Sequence, residues 1–495
     1  MIDRYRPQIH FTAPSGWLND PNGLVYIEGE YHLFYQHLWP RHWGHAVSTD
    51  LLHWAHLPPA LAPDALGDIW SGSAVVDWQD TSGFFGGRPG LVAIFTHQNA
   101  LPPPHGPQVQ SLAYSADRGR TWTMYAGNPV IPNPGTAGFR DPRVFWHAPT
   151  RRWVMVTSYN DDRLRLYTSP DLKAWAYASE FGQGAVAPAR AWECPDLFEL
   201  PVEGHPTERR WVLQVSLYHG EESARGLPLM RYFLGSFDGT TFASDDPPDA
   251  VRQVDYGPDH YAVASWSDVP TGDGRRLCIG WMNNWAYADR TPTHPWQGAM
   301  TIPRRLTLRR DDGEIRLAQE PVAELRLLRG EARRWAARAV SSEAPLTAPV
   351  AGPALEIAAT FDPATAASFG VRVWAGEAQH TTIGYDVATA TLFVDRSRAG
   401  QAGFSPDFPD RAGGHLAPAD GRIALHIVVD RCSVEVFAND GVAAVTSLVF
   451  PDAEPTGVEV YATEGTAHLA SLEIAALSNI SLLGVERTTL TRGAQ

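Results

Sequence analysis

Cysteine is nearly absent: the 495 residues contain three, Cys194, Cys278 and Cys432, far apart in the chain. An odd, scattered set gives no disulfide framework and suits a reducing compartment. The cysteines show no metal-ligand spacing. The 18 histidines, several of them early (His32, His37, His42, His45, His53, His56), never form His-Glu-x-x-His, so no metal and no cofactor are expected. Charged residues are sparse at 19%, and the net charge is −15. Without a basic stripe a chain cannot displace the counterions of a polyanion, which excludes nucleic acid as a partner and favours a neutral ligand. Long apolar runs are missing as well. None reaches the roughly 18 residues of a membrane span, and the opening Met1-Ile2-Asp3-Arg4-Tyr5-Arg6-Pro7 lacks the apolar segment of a secretion signal. A cytoplasmic protein with no membrane partner is the expectation, or a secreted one had a leader been trimmed. Nothing specifies an oligomeric state.

What is present points to β-structure. Trp 18, Tyr 16, Phe 19, Gly 43 and Pro 40 favour short strands and tight turns, and the length implies two domains. Tyr31-His32-Leu33-Phe34-Tyr35-Gln36 alternates as a strand does, and Leu91-Val92-Ala93-Ile94-Phe95-Thr96 is apolar enough to be buried on both faces. Two repeats are more telling. Arg151-Arg152-Trp153-Val154-Met155-Val156, Arg209-Arg210-Trp211-Val212-Leu213 and Arg275-Arg276-Leu277-Cys278-Ile279 read as equivalent strands. Ser48-Thr49-Asp50 with Trp54, Ser115-Ala116-Asp117 with Trp122, Ser169-Pro170-Asp171 with Trp175 and Ser236-Phe237-Asp238 with Phe242 read as equivalent turns. Successive serines stand 67, 54 and 67 residues apart, the size of a four-stranded propeller blade.

The expected fold is therefore all-β, with an N-terminal five-bladed β-propeller over residues 1–319. A helix-compatible run, Glu320-Pro321-Val322-Ala323-Glu324-Leu325-Arg326, opens a connector over 320–345. Alternation resumes in Leu355-Glu356-Ile357-Ala358-Ala359-Thr360-Phe361, and Asn439-Asp440-Gly441 is a hairpin signal. A C-terminal β-sandwich is expected over 346–478 and a tail over 479–495.

The candidate chemistry lies in carboxylates. Asp20 in Trp17-Leu18-Asn19-Asp20-Pro21-Asn22-Gly23 is, by itself, ordinary turn chemistry. Its company argues otherwise: Asp141 in Phe139-Arg140-Asp141-Pro142 and Glu193 in Trp192-Glu193-Cys194-Pro195-Asp196 recur in comparable settings. Asp20, Ser71, Asp141, Glu193 and Asp255 fall at intervals of 51, 70, 52 and 62 residues, so each blade is expected to aim one polar residue at the axis. For a glycoside ligand, Asp20 would attack the anomeric carbon and protonated Glu193 would serve the leaving oxygen. Burial and the Asp20 charge would keep Glu193 protonated. Asp141, beside Arg140, is expected to stay ionised, and Cys194 to be a small packing residue.

These motifs resemble the signatures of glycoside hydrolase family 32, the β-fructosidases. Tyr35-Gln36, Trp43-Gly44-His45-Ala46, Trp70-Ser71-Gly72-Ser73, Asp255-Tyr256-Gly257 with Tyr261-Ala262, Gly280-Trp281-Met282-Asn283-Asn284-Trp285 and Asp430-Arg431-Cys432-Ser433-Val434-Glu435 extend the resemblance along nearly the whole chain. It implies a retaining exo-acting hydrolase that releases terminal fructose from sucrose, fructo-oligosaccharides, inulin or levan. Asp20 would be the nucleophile, Asp141 the transition-state stabiliser and Glu193 the acid/base. Trp17, Asn19, Gln36, Trp43, Trp70, Ser71, Arg140, Asp255 and Trp296 would bind substrate. The loop from His37 to His42 is shorter than the family's, with Trp39 as its candidate wall residue. Gly280-Trp281-Met282-Asn283-Asn284-Trp285 leans toward fructan-degrading members, whereas the missing secretion signal favours sucrose or short oligosaccharides. A fructosyltransferase, an inverting furanosidase and a non-catalytic sugar-binding propeller are the alternatives.

Overall fold

A computed structural model describes residues 3–99, 107–182, 191–218, 229–247, 250–350, 352–376, 379–452 and 457–480. The chain forms two compact units. One comprises Gly16–Val254 and Tyr261–Trp281; the other comprises Met1–Ser15, Asp255–His260 and Met282–Gln495. No helix of the described residues is long and apolar enough to cross a membrane.

The first unit is the propeller. Blades I to IV each consist of four consecutive antiparallel strands and open with Gly16–Ile27, Asp68–Asp77, Phe139–His147 and Ala191–Val202. Blade V opens with Tyr261–Ser265, paired to Arg276–Met282. These five opening strands contact one another in a closed ring, with blade V returning to blade I. There a parallel bridge joins Val25 to Ser267, and the Trp266 indole N–H donates to the His32 carbonyl at 3.0 Å. The second strands are Glu30–His37, Gly90–Gln98, Arg152–Tyr159, His205–Tyr218 and Arg276–Met282. The Arg-Arg repeats fall on the last three, and Gly90–Gln98 is buried throughout.

The serine repeats are the turns leaving each third strand. Ser48, Ser115 and Ser169 donate to Asp50, Asp117 and Asp171, which accept backbone N–H groups of the same turns. The tryptophans of these turns donate back to the carbonyls of Leu51, Gly119 and Leu172. Each turn is thus closed by its own side chains, which is why it repeats legibly in sequence.

The second unit carries the sandwich. Its two sheets share one core, in which Ile357, Leu425, Ile427 and Val436 meet Phe369, Val371, Ile383 and Val460. Asn439-Asp440-Gly441 makes the expected hairpin turn, with positive φ at all three residues. The helix-compatible run yields a short 3-10 helix over Ala323–Leu328. The expected connector is not free-standing: Arg333–Trp335 and Arg338–Ser341 add to the sandwich strand Thr466–Ala476. Most of the expected tail, 481–495, lies outside the described residues.

The N-terminal segment belongs to this second unit because a buried ionic network holds it there. His10 Nδ1 and Nε2 bond Asp430 and Glu435 at 2.8 and 2.7 Å. Arg304 pairs with Glu435 and with Asp255, the latter at 3.0 Å. Burial disfavours the His10 charge, but the two carboxylates outweigh it and raise its pKa to about 9. A pKa raised above the unfolded value stabilises fully below about pH 6.5 and is lost as pH climbs through 9, about 3 kcal/mol in all. His10→Gln is therefore expected to lower Tm strongly at pH 6 and much less at pH 9.5, measured by thermal denaturation across pH.

Candidate active site

Every opening strand of the propeller carries the same irregularity. A three-residue step spans a two-residue step of the second strand at Leu18/Pro21, Ile69/Gly72, Arg140/Arg143, Glu193/Asp196 and Tyr261/Ala264. Such a β-bulge swings side chains off the regular alternation, here toward the axis. Asp141, Cys194 and Ala262 take φ of 60°, 47° and 52° within it, a strained state for residues with a Cβ that persists only where the surroundings hold it. Pro142 and Pro195 follow the first two and lack the N–H that a broken ladder would leave unpaired. The three acids occupy successive positions of this bulge rather than one repeated position. Glu193 stands first, like Arg140 and Tyr261; Asp141 second, like Cys194; Asp20 third, like Ser71.

Asp20 is fixed by two donors: Asn19 Nδ2 bonds Oδ1 at 2.8 Å and Ser71 Oγ bonds Oδ2 at 2.7 Å. Cys194 Sγ lies 3.6 Å from Asp20 Oδ2 and 3.7 Å from Asp141 Oδ2, so one thiol touches two of the acids. Asp141 Oδ2 also accepts the Cys194 backbone N–H at 3.1 Å. Glu193 accepts from Tyr261 OH at 2.7 Å and from Arg140 Nη2 at 3.2 Å. Arg140 turns its other end to Asp161 at 2.7 Å and comes only within 3.9 Å of Asp141.

Protonation follows from this placement. Burial is the largest influence on Glu193 and raises its pKa; the Asp20 charge adds to the rise, while Arg140 and Tyr261 oppose it. Glu193 is therefore biased toward the acid form. Asp141 departs from the sequence expectation of a firmly ionised group: burial outweighs Arg140, and its carboxyl is pushed up to about 7. Burial also pushes the Cys194 thiol well up, which keeps it neutral.

Of the expected substrate contacts, several hold station at the acids. Ser71 and Arg140 are described above. The Trp17 indole N–H donates to Asn19 Oδ1 at 2.7 Å. Trp70 has a buried indole N–H without a partner among the described residues. Trp39 is 64% exposed, with the Arg41 guanidinium 4.1 Å from its ring centre, as a wall residue requires.

Others are corrected by burial. Asn19 and Gln36 are each 1% exposed and act one layer back. Asn19 orients Asp20, and Gln36 bonds Asn22 at 2.8 Å. Trp43 is fully buried between Phe34 and Phe95 and donates to the Trp70 carbonyl, so it is a core residue. Trp296 is buried in the second unit, where it donates to Asp3 at 2.6 Å. Asp255 also belongs to that unit. Its carboxylate is saturated by Arg304, Thr446 and the Gly257 N–H, leaving no acceptor for a ligand. Blade V supplies Tyr261 instead.

Two participants escaped the sequence reading, Tyr261 and Arg41. Tyr261 begins the blade V strand, and a repeat count anchored on bulges would have found it. Arg41 donates to Asn19 Oδ1 at 2.6 Å and feels the charges of Asp20, Glu193 and Asp141. The Tyr261 hydroxyl favours the Glu193 carboxylate, so Tyr261→Phe is expected to raise the Glu193 pKa. The alkaline fall of kcat/KM then moves to higher pH, which a pH–rate profile checks.

Carboxylates from separate blades, one of them biased toward its acid form, set among hydroxyl-binding groups at a propeller axis, define a glycoside-cleaving site. Comparison with known proteins narrows the class. Residues 10–321 match "Glycosyl hydrolases family 32 N-terminal domain" and residues 324–476 match "Glycosyl hydrolases family 32 C terminal". A levanase of Bacillus subtilis (strain 168) is 50% identical over 487 residues, 96% of this chain and 71% of the relative. An extracellular exo-inulinase of Aspergillus ficuum is 37% identical over 512 residues, 95% and 94% of the two chains. The crystal structure of an exo-inulinase from Aspergillus awamori superposes with TM-score 0.88 at 34% identity, covering 97% and 99%. The chain belongs to glycoside hydrolase family 32, and it is an enzyme with a propeller followed by a sandwich.

Proposed function

We infer that the protein is an exo-β-fructosidase that releases terminal nonreducing β-D-fructofuranosyl units from fructans and sucrose by double displacement. Asp20 attacks the anomeric carbon while Glu193 gives its proton to the departing glycosidic oxygen, leaving fructosyl bound to Asp20. Glu193, now a carboxylate, takes a proton from water. The resulting hydroxide equivalent displaces Asp20 and restores both groups. Asp141, fixed by the Cys194 N–H, accepts hydrogen bonds from fructosyl hydroxyls, and its carboxylate form offsets the positive charge that develops on the ring. Arg140 stabilises the Glu193 carboxylate left once its proton has gone to the leaving group.

The observation that carries this reading is the convergence of Asp20, Asp141 and Glu193 from three blades, with the Cys194 thiol 3.6 Å from Asp20 and 3.7 Å from Asp141 and Arg140 bonded to Glu193. Asp20 accepts hydrogen bonds from Asn19 and Ser71 that fix it in place, and burial, with the Asp20 charge adding to it, biases Glu193 toward its acid form. A non-catalytic sugar binder has no use for three acids so placed. The test is an initial-rate assay on sucrose, inulin and levan with product analysis. Free fructose as the first product of all three supports the reading, and larger fragments from inulin or levan contradict exo action. Fructosyl oligomers as the main product at high sucrose would make the chain a transferase.

A further inference from the structure

The propeller axis has a second opening. The strands that begin at the acids end, about 20 Å farther on for the six residues from Asp141 to His147, around a cavity of ≈ 600 Å³. A packed layer separates the two ends. Arg143 bonds the Ser265 carbonyl at 3.0 Å, Asp196 accepts the Ser265 N–H at 2.8 Å, and Ser73 bonds the Pro142 carbonyl at 2.9 Å. The void left beside this layer, ≈ 30 Å³, has room for about one water. None of the three acids lines the cavity.

Its lining has the chemistry of a saccharide site. Trp78, 55% exposed, stands at its edge with the indole N–H held by Asp268 Oδ1 at 2.8 Å. Trp146 and Trp211 supply further indole surface. Ser267 contributes a buried hydroxyl with no partner among the described residues. The lining charges are engaged within the protein: Arg143 by Asp196, Glu199 by Arg209, Asp268 by the Val76 N–H and the Trp78 indole, Asp77 by the Thr81 and Ser82 N–H groups, and Arg276 by the Ser265 hydroxyl at 3.3 Å and the charges of Asp196 and Asp268. Indole faces, an unused hydroxyl and a volume of several sugar rings suit an uncharged polyol chain.

We propose that this cavity is a second, non-catalytic binding site for fructan chains. It rests on the β-fructosidase reading for the identity of the chain. Such a site has a use only on substrates long enough to occupy it, so it favours fructan over sucrose as the working substrate. A chain held there keeps its polymer at the enzyme between successive cleavages.

The test pairs stoichiometry with kinetics. In the Asp20→Asn enzyme, titration with a fructo-oligosaccharide by calorimetry is expected to give two equivalents, and one once Trp78→Ala is added. In the otherwise active enzyme, Trp78→Ala is expected to raise KM for levan and inulin by about fivefold and to leave kcat/KM on sucrose within about twofold. A single equivalent in Asp20→Asn, or an unchanged polymer KM in Trp78→Ala, overturns the proposal. Absence of sucrose and fructan hydrolysis in the unmodified enzyme would instead defeat the functional reading beneath it.

Discussion

Asp20→Asn is expected to lower kcat on sucrose by on the order of 10⁵-fold, as removal of a covalent nucleophile does. The amide is nearly isosteric and keeps a carbonyl oxygen for Asn19 or Ser71, whose bonds to Asp20 are 2.8 and 2.7 Å. Folding should therefore be unaffected, with Tm within about 1–2 °C because the site is polar and its neighbours can reorient. The loss falls on kcat rather than on binding, since Asp141, Arg140 and Trp70 remain in place. Steady-state kinetics with a matched thermal melt measures both. An active Asp20→Asn enzyme would show that the nucleophile lies elsewhere.

Glu193→Gln is expected to cost about 10³-fold in kcat on sucrose, the usual scale for a general acid/base. The replacement can still bond Tyr261 and Arg140, but it carries no proton to give. In the native enzyme, kcat/KM should fall as pH rises through the raised Glu193 pKa, because the reaction needs the protonated form. In Glu193→Gln that limb should vanish. A fructosyl donor whose leaving group needs no protonation, such as the β-fructofuranosyl fluoride, should lose far less in its bond-breaking step. Equal losses on sucrose and on the fluoride would remove Glu193 from the acid role.

What the sequence reveals depends on how local each feature is. The Ser-x-Asp turns close on themselves through Asp50, Asp117 and Asp171, so they repeat as strings of letters and disclose the blades. The acid motifs are legible for a related reason: each writes its bulge into a few consecutive residues, with Pro142 and Pro195 marking two of them. Asp255 is misleading because an interval of 62 residues does not separate a residue inside a strand from one preceding it. Trp43 and Trp296 are equally opaque, since an indole in a motif serves a core as well as a pocket wall. The protonation of Asp141 is the clearest case of a long-range property. Arg140 is its neighbour in sequence, yet burial by other blades decides the outcome. Tyr261 and Arg41 reach the site from 68 residues after Glu193 and 22 residues after Asn19. No local pattern announces Arg41.

The central claim is that carboxylates from separate blades capture fructose covalently and release it with its configuration preserved. Cleavage of sucrose in the presence of methanol tests this most directly, because the methyl fructoside formed does not mutarotate and its anomer can be read by NMR. Two inversions at the anomeric carbon give methyl β-D-fructofuranoside, which is the expected product. Methyl α-D-fructofuranoside would contradict the account.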